Sequence, residues 1–141
     1  ASPLAFAQQS AFQEVRTLHV KSGRVAEFQE LISKVTAAQV EAGQPRRIVW
    51  QEVRGNLGTY HVVTPRDSYA DYDTQEEPPM APGAWANLIS RLIDTVESQE
   101  LILVRHYPQL GIPAAEDAEP PKFIRLSFRE ITWGGMGDYM S

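Results

Sequence analysis

The stretch from Phe12 to Ile32 constrains the fold of this chain more than any other segment. Its first part, residues 12–20, has the alternating pattern of a β-strand, in which successive side chains point to opposite faces. One face carries Val15, Thr17 and His19, and the other carries Arg16, Leu18 and Val20. A Ser-Gly turn follows, and the pattern then changes to the period of an amphipathic helix. The segment therefore predicts a strand, a tight turn and a helix in immediate succession.

The helix of this segment is predicted from its apolar stripe and from the residues that mark its two ends. Ser22 is a residue type that can cap a helix N-terminus, whereas Gly43 and Pro45 form a stop signal. Between them, apolar side chains recur at the spacing that puts them on one face of a helix. The stripe consists of Val25, Phe28, Leu31, Ile32 and Val35.

The following elements are predicted from alternation, turn residues and a second apolar stripe. Residues 47–54 and 59–64 are predicted strands, joined by a turn at residues 55–58 that contains two glycines. Asp67 is expected to cap a short helical stretch that carries Tyr69 and Tyr72. The next predicted elements are a helix over 83–98, with Trp85, Leu88, Ile89, Leu92 and Val96 as its stripe, and a strand over 100–107. The continuous apolar run 101–104 predicts that this strand is buried on both faces.

The order of these elements, βαββαβ, predicts an α+β fold with a ferredoxin-like arrangement. Two right-handed βαβ halves give a four-stranded antiparallel sheet with both helices on one face. We expect the first and third strands to run parallel, and the fourth to run antiparallel to the first. Because both faces of the second strand carry apolar residues, Val49 and Val53 on one and Ile48 and Trp50 on the other, the helix-free face needs a cover. The sequence therefore predicts that this face packs against a second such sheet.

A repeat of the opening segment is expected near the end of the chain. Shifting the sequence by 111 residues aligns seven similar pairs over 17 positions, among them Phe12 with Phe123 and Gly23 with Gly134. With this repeat, the chain is predicted to consist of four segments. We predict a signal-peptide remnant at residues 1–7, a ferredoxin-like domain at 8–107, a Pro-rich linker at 108–121 and the start of a second, truncated repeat at 122–141, with a strand over 122–132 and a helix after Gly134.

These residues resemble the dimeric α+β barrel superfamily, and within it the NIPSNAP-like and uncharacterised tandem members. The resemblance is carried by Val15 to Phe28, by Phe123 to Tyr139 and by the segment Asp67 to Tyr72. It covers about residues 12–107 as one unit, and its motifs are structural, so it implies a fold more than an activity. Members of this superfamily pair two sheets, between chains or within one, around a central cavity. Some are haem-binding or cofactor-free oxygenases, and many have no known activity.

Composition and charge exclude several classes of function. The net charge of −5, with scattered basic residues, argues against a nucleic-acid partner, and the absence of cysteine excludes disulfides and thiolate sites. No apolar run reaches the length of a membrane span.

The segment Leu4 to Gln9 resembles the end of a secretory signal, with Ala5 and Ala7 as its small residues, which predicts a periplasmic or secreted protein.

The sequence names no catalytic residue, and its candidate ligand-binding residues are His61, Trp50 and Tyr60. His61 lies in the middle of a predicted strand, where it can face a central cavity and bind a ligand or haem iron. Trp50 can line the same cavity, and Trp50 and Tyr60 also suit a core position. We predict no metal site, because His19 and His106 lie at opposite ends of the sheet.

Two functional hypotheses follow. The first is an exported domain of unknown function that associates sheet to sheet, with a second chain or an intramolecular repeat, and binds a small apolar ligand without catalysis or cofactor. The alternative is an oxygenase-like enzyme of the dimeric α+β barrel type, haem-dependent or cofactor-free, that uses His61 with cavity aromatics.

Overall fold

The computed structural model of the protein describes residues 12–73, 77–112, 115–119 and 121–125. Residues 10–105 form one compact unit, and residues 1–9 and 106–141 are grouped in a second. The larger unit contains strands β1 (Phe12–Val20), β2 (Ile48–Gln51), β3 (Thr59–Arg66) and β4 (Val96–Val104), helices α1 (Val25–Glu41) and α2 (Pro82–Asp94), and a 3-10 helix (Tyr69–Tyr72). Among its described residues, the smaller unit contains a short 3-10 helix at Pro108–Leu110.

The four strands form one antiparallel sheet in the order β2-β3-β1-β4. This arrangement confirms the predicted ferredoxin-like fold. The expectation that the first and third strands run parallel was wrong, since β1 and β3 pair antiparallel, with Thr17 opposite His61 and His19 opposite Thr59. The physical reason is that the right-handed β1-α1-β2 unit leaves one position between its two parallel strands, and β3 fills it in hydrogen-bonding contact with both.

The core lies between the sheet and the helices. It consists of Leu18, Val20, Phe28, Tyr60 and Val62, with Val25, Ile32, Leu92 and Val96 packed against it. Phe28 is fully buried, and its ring lies 4.6 Å from the ring of Tyr60 between centroids. Burial of one side chain of this size stabilises the fold by roughly 1.5–3 kcal/mol, so the α1 stripe is a main source of stability.

Helix α1 begins later than predicted and ends where predicted. Ser22 does not cap it; the N-cap is Arg24, without a side-chain hydrogen bond to the helix backbone. Gly23 takes a φ of 80°, in the left-handed region, so the chain cannot become helical before residue 24. At the other end, Gly43 takes a φ of 70° after the C-cap Ala42, which confirms the stop signal.

Strand β4 begins at Val96, four residues before the predicted start. Helix α2 ends at Asp94, and Thr95 caps the turn, with its hydroxyl donating to the Leu92 carbonyl at 2.6 Å. Val96 then pairs with Val20 of β1. The predicted burial of both faces of this strand was wrong, because β4 lies at the edge of the sheet, where Leu101, Ile102 and Leu103 are 42–49% exposed.

The 3-10 helix is also capped differently from the prediction. Its N-cap is Ser68, which forms a capping box with Asp71, and Asp67 precedes the cap. Over residues 122–125, the described part of the predicted repeat, the chain forms no strand. The rest of that repeat, residues 126–141, and the predicted signal remnant at 1–7 lie outside the described residues. Among the helices of the described ranges, none has the length and apolar character needed to cross a bilayer.

Candidate functional site

A cavity of about 590 Å³ lies between the helix-facing side of the sheet and the two helices. Helix α2 leaves this space because it packs loosely: its apolar stripe is only partly buried and none of its residues is fully so. The lining is mixed, since polar and charged side chains such as Gln39, Gln44 and Thr64 also contribute to it. Its apolar part includes Leu18, Ile32, Val62, Ile89, Leu92 and Val96.

One end of the cavity is charged and is centred on Glu14 of β1. Glu14 is only 5% exposed and accepts four hydrogen bonds. Its Oε2 accepts from Arg66 Nη2 at 2.9 Å, Arg66 Nε at 3.1 Å and the Tyr72 hydroxyl at 3.1 Å. Its Oε1 accepts from Arg16 Nη2 at 3.1 Å. Both oxygens of the carboxylate are therefore hydrogen-bonded. Arg66 donates two bonds, from Nε and Nη2, to the same oxygen, and both are charge-assisted and therefore strong.

This network decides the protonation state of Glu14. Burial by itself raises the pKa of the carboxyl group, but the hydrogen bonds and positive charge of Arg66, with contributions from Tyr72 and Arg16, outweigh burial and lower the pKa below its ordinary value. Glu14 is therefore a permanent anion at neutral pH. It serves to hold the two arginines and is a poor candidate for a general acid.

The 3-10 helix contacts β1 and the Glu14 network through its two tyrosines. Tyr69 stacks on Phe12, with ring centroids 4.8 Å apart, and the Arg66 guanidinium lies 5.0 Å from the centre of the Tyr72 ring. Burial and the adjacent Glu14 carboxylate raise the pKa of Tyr72, so its hydroxyl stays protonated and donates a hydrogen bond to Glu14. The segment after β3 is thereby tied to the Glu14 network, although neither tyrosine lines the cavity.

Arg47, which precedes β2, is the third arginine of the cavity lining. Its Nη2 donates to the Thr36 hydroxyl of α1 at 2.7 Å. Its Nε is buried, and within the described part of the chain it has no hydrogen-bond partner. Burial lowers the pKa of Arg47, although an arginine retains its charge in proteins. A buried guanidinium N–H without a partner is unusual, because most buried donors in folded proteins are paired.

The three residues predicted to bind a ligand do not lie together. Tyr60 belongs to the core on the helix-facing side, where its hydroxyl accepts a hydrogen bond from Gln29 Nε2 at 2.7 Å. Trp50 and His61 are paired in register and lie on the other, helix-free face. None of the three lines the cavity.

His61 is held in a fixed orientation on the helix-free face. Its Nδ1 lies 2.9 Å from the Thr17 hydroxyl and its Nε2 lies 3.0 Å from Glu52 Oε2, and it is 8% exposed. The neighbouring His19 repeats the arrangement. It lies between the Thr59 hydroxyl at 3.2 Å and Glu100 Oε1 at 3.2 Å.

Because β1 and β3 are antiparallel, these two histidines share one face, two positions apart in register. Across the described ranges, no group of three or more histidine, aspartate and glutamate side chains converges in a way that could hold a metal ion.

The described residues do not fit a haem group in the cavity. Haem iron is held in proteins by histidine, cysteine, methionine or tyrosine, and the described residues that line the cavity include none of these types. His61, the residue proposed from sequence for this role, has both ring nitrogens engaged in hydrogen bonds and lies on the opposite face of the sheet.

The residues of the charged end were missed in the sequence, although a signal was present. Glu14 and Arg16 alternate in phase with Leu18 and Val20, the core-facing residues of β1. Charged side chains at core-facing positions must find partners or line a cavity. Their partner Arg66 lies 52 residues away from Glu14, so its identity required the pairing of β1 with β3.

Comparisons with known proteins agree on the fold. No family model and no curated protein matches the chain. Among solved structures, an uncharacterised NIPSNAP domain protein from Burkholderia xenovorans is 22% identical with a TM-score of 0.54, over 77% of this chain and 99% of that one. A NIPSNAP family protein of unknown function from Agrobacterium tumefaciens is 17% identical with a TM-score of 0.55, over 71% and 94% of the two chains.

A third similar structure, assigned as an antibiotic biosynthesis monooxygenase, comes from Bordetella bronchiseptica. It is 12% identical with a TM-score of 0.53, over 70% of this chain and 99% of that one. NIPSNAP proteins and these monooxygenase-like proteins are both members of the dimeric α+β barrel superfamily. At these identities the likeness concerns the fold alone. The chain thus has the ferredoxin-like fold of the dimeric α+β barrel proteins, as its resemblance to them predicted.

Proposed function

We propose that residues 12–104 form a binding domain that holds a small apolar molecule in the cavity between the sheet and the helices, without catalysis. The observation that supports this proposal is the 590 Å³ cavity and the apolar part of its lining. Small-molecule sites have volumes of roughly 300–1,000 Å³, apolar walls and a few polar groups that fix orientation. The Glu14 network contributes orientation and electrostatics rather than reactivity, because every polar atom of that carboxylate is already bonded.

The test is binding of phenylnaphthylamine, a neutral apolar dye that becomes fluorescent in apolar surroundings. Ile89→Trp places a larger side chain in the cavity wall and is expected to weaken dye binding about tenfold or more, the effect of losing about 1.4 kcal/mol. Val40→Trp is the matched control, since Val40 is 72% exposed on α1 and does not line the cavity. Excitation beyond tryptophan absorption keeps the two signals apart. Equal binding by both variants contradicts the proposal.

Self-association is the second part of the proposal, through a second copy or an intramolecular repeat. It is supported by β4, which lies at the edge of the sheet and exposes Leu101, Ile102 and Leu103, since an exposed apolar edge strand favours pairing with another chain. Light scattering of the chain at tens of micromolar tests it. A dimer mass is expected, and a monomer mass across that range contradicts pairing between chains.

Export to the periplasm or exterior, inferred from residues 4–9, is tested by fractionating cells that produce the protein with any preceding residues intact.

The alternative function is an oxygenase-like enzyme that uses His61. It is supported by the fixed position of His61 between Thr17 and Glu52 and by the likeness in fold to a structure assigned as a monooxygenase. Addition of haemin distinguishes the haem-dependent version: a strong absorption band in the violet region that His61→Ala removes and His19→Ala retains would support it. We expect no such band, because His61 lacks a free ring nitrogen.

A further inference from the structure

Building on the proposed function, we propose that the occupant of the cavity is an amphipathic anion, an apolar body that carries one acidic oxygen group, and that Arg47 binds this acidic group. Without an anion the cavity lining contains a partly buried arginine whose charge has no carboxylate partner among the described residues. An anion in the cavity supplies that partner. The inference therefore names the chemical class of the ligand and the residue that selects it.

The first argument is the state of Arg47 itself. Its Nε is buried without a partner, while its Nη2 is fixed by Thr36 at 2.7 Å. The guanidinium is thus held in place, and the Arg47 side chain lines the cavity. Preorganised guanidinium groups bind carboxylates and related anions through their N–H donors.

The second argument is the balance of charge around the cavity. The charged residues of its lining are Glu14, Glu97, Arg16, Arg47 and Arg66. Glu14 is paired with Arg66 and Arg16, and Glu97 is exposed on β4. Among the described residues no carboxylate lies within ion-pair distance of Arg47. The described lining therefore has three arginines against two glutamates, an excess of one positive charge.

The third argument is the shape of the remaining wall. Opposite the arginines, the lining is supplied by aliphatic side chains of α2, such as Ile89 and Leu92, and of the sheet, such as Val62. A simple inorganic anion would leave this apolar surface hydrated. A molecule with an apolar body and a single acidic group satisfies both ends, which is why an amphipathic anion fits better than phosphate or a neutral hydrocarbon.

The test compares two dyes with the same aromatic body, anilinonaphthalene sulfonate and phenylnaphthylamine, of which only the first carries an anionic group. Wild-type protein is expected to bind the sulfonate more tightly. Arg47→Gln is expected to weaken sulfonate binding about tenfold or more while it changes phenylnaphthylamine binding less than about twofold, since a charge-assisted hydrogen bond is lost from only one complex. Arg46→Gln, at the adjacent exposed arginine, is the matched control and should leave both affinities unchanged.

The outcomes separate this inference from the proposed function. If neither dye binds, or Ile89→Trp leaves both affinities unchanged, the cavity is not a binding site and both proposals fail. If both dyes bind with equal affinity, or Arg47→Gln weakens them equally, the binding domain stands and the anion preference is refuted. Arg47→Lys keeps the charge but not the planar donor and is expected to lie between wild type and Arg47→Gln. If circular dichroism shows that Arg47→Gln does not fold, Arg47→Lys and the comparison of the two dyes on the wild-type protein provide the test instead.

Discussion

Replacement of Glu14 by glutamine tests whether the charged end of the cavity also stabilises the fold. The glutamine side chain has nearly the same shape as glutamate but no charge. Its amide oxygen can still accept a hydrogen bond from Arg66, whereas its NH₂ group cannot accept one from Arg16. The substitution therefore removes the ion pairs while it leaves the packing in place.

The magnitude follows from the exposure of the partners. The side chains of Glu14 and Arg66 are 6% and 20% exposed, so their pair is little screened, whereas Arg16 is 42% exposed and contributes less. Removal of one partner of a buried pair costs about 3–5 kcal/mol. Because glutamine keeps one acceptor and the site borders a cavity, we expect Glu14→Gln to lower the free energy of unfolding by about 2–3 kcal/mol.

Urea unfolding followed by circular dichroism measures this change, provided that the slope of the transition is the same in both proteins. Glu30→Gln is the matched control. Glu30 forms an exposed pair with Lys34 one helical turn away, at 3.1 Å, and such pairs contribute about 0.3–0.5 kcal/mol. If Glu14→Gln is no more destabilising than Glu30→Gln, the Glu14 network does not stabilise the fold and the reasoning is refuted.

The pH dependence of the same measurement separates charge from packing. The pKa of Glu14 is lower in the folded protein than its ordinary value of 4.5. Its contribution is therefore fully present above that ordinary value and is lost as the pH falls through the lower, folded pKa. The difference between wild type and Glu14→Gln should be largest near neutral pH and should shrink in acid. A difference that is equally large in acid would assign the effect to packing.

Two further substitutions test the core and the first turn. Phe28→Ala is expected to lower the free energy of unfolding by about 3–5 kcal/mol, because it leaves a cavity at a fully buried position. Val40→Ala, on the exposed side of α1, should change this free energy by less than about 0.5 kcal/mol. Equal effects of the two substitutions in urea unfolding would contradict the assigned core. Gly23→Ala is expected to destabilise by roughly 1 kcal/mol, because φ is 80° although no atom lies within 4 Å of the added methyl group. Gly83→Ala, in α2 with no strained φ and equal space, should be neutral or stabilising, and an equal loss at both glycines would refute the conformational explanation.

Local patterns in the sequence were sufficient for the elements of the larger unit. The alternation of residues 12–20 predicted β1 with its observed bounds, and the stripe through Phe28, Leu31 and Val35 predicted the buried face of α1. These predictions succeed because the period of two or of 3.6 is set by backbone geometry. The same logic failed at β4, where the apolar run 101–104 was taken as buried, since local composition does not reveal whether a strand lies at the edge of its sheet.

The candidate site depended on the tertiary structure. The sequence placed Trp50, Tyr60 and His61 in one ligand site, but alternation along β3 puts Tyr60 and His61 on opposite faces, and the pairing of β2 with β3 puts Trp50 on the face of His61. The cavity and its charged end are built instead from residues of β1, β3, β4, both helices and the segment before β2.

The sequence by itself thus determined the order of the elements, the buried stripe of α1 and a resemblance to the superfamily whose fold the chain shares. Only the tertiary structure decided which charges meet. Glu14 contacts Arg66 and Tyr72 at separations of 52 and 58 residues, and Arg47 keeps a buried Nε that has no partner among the described residues. The physical reason is that hydrogen bonds and ion pairs act over a few ångströms in space, and contacts between residues so far apart in the chain exist only after the strands have paired.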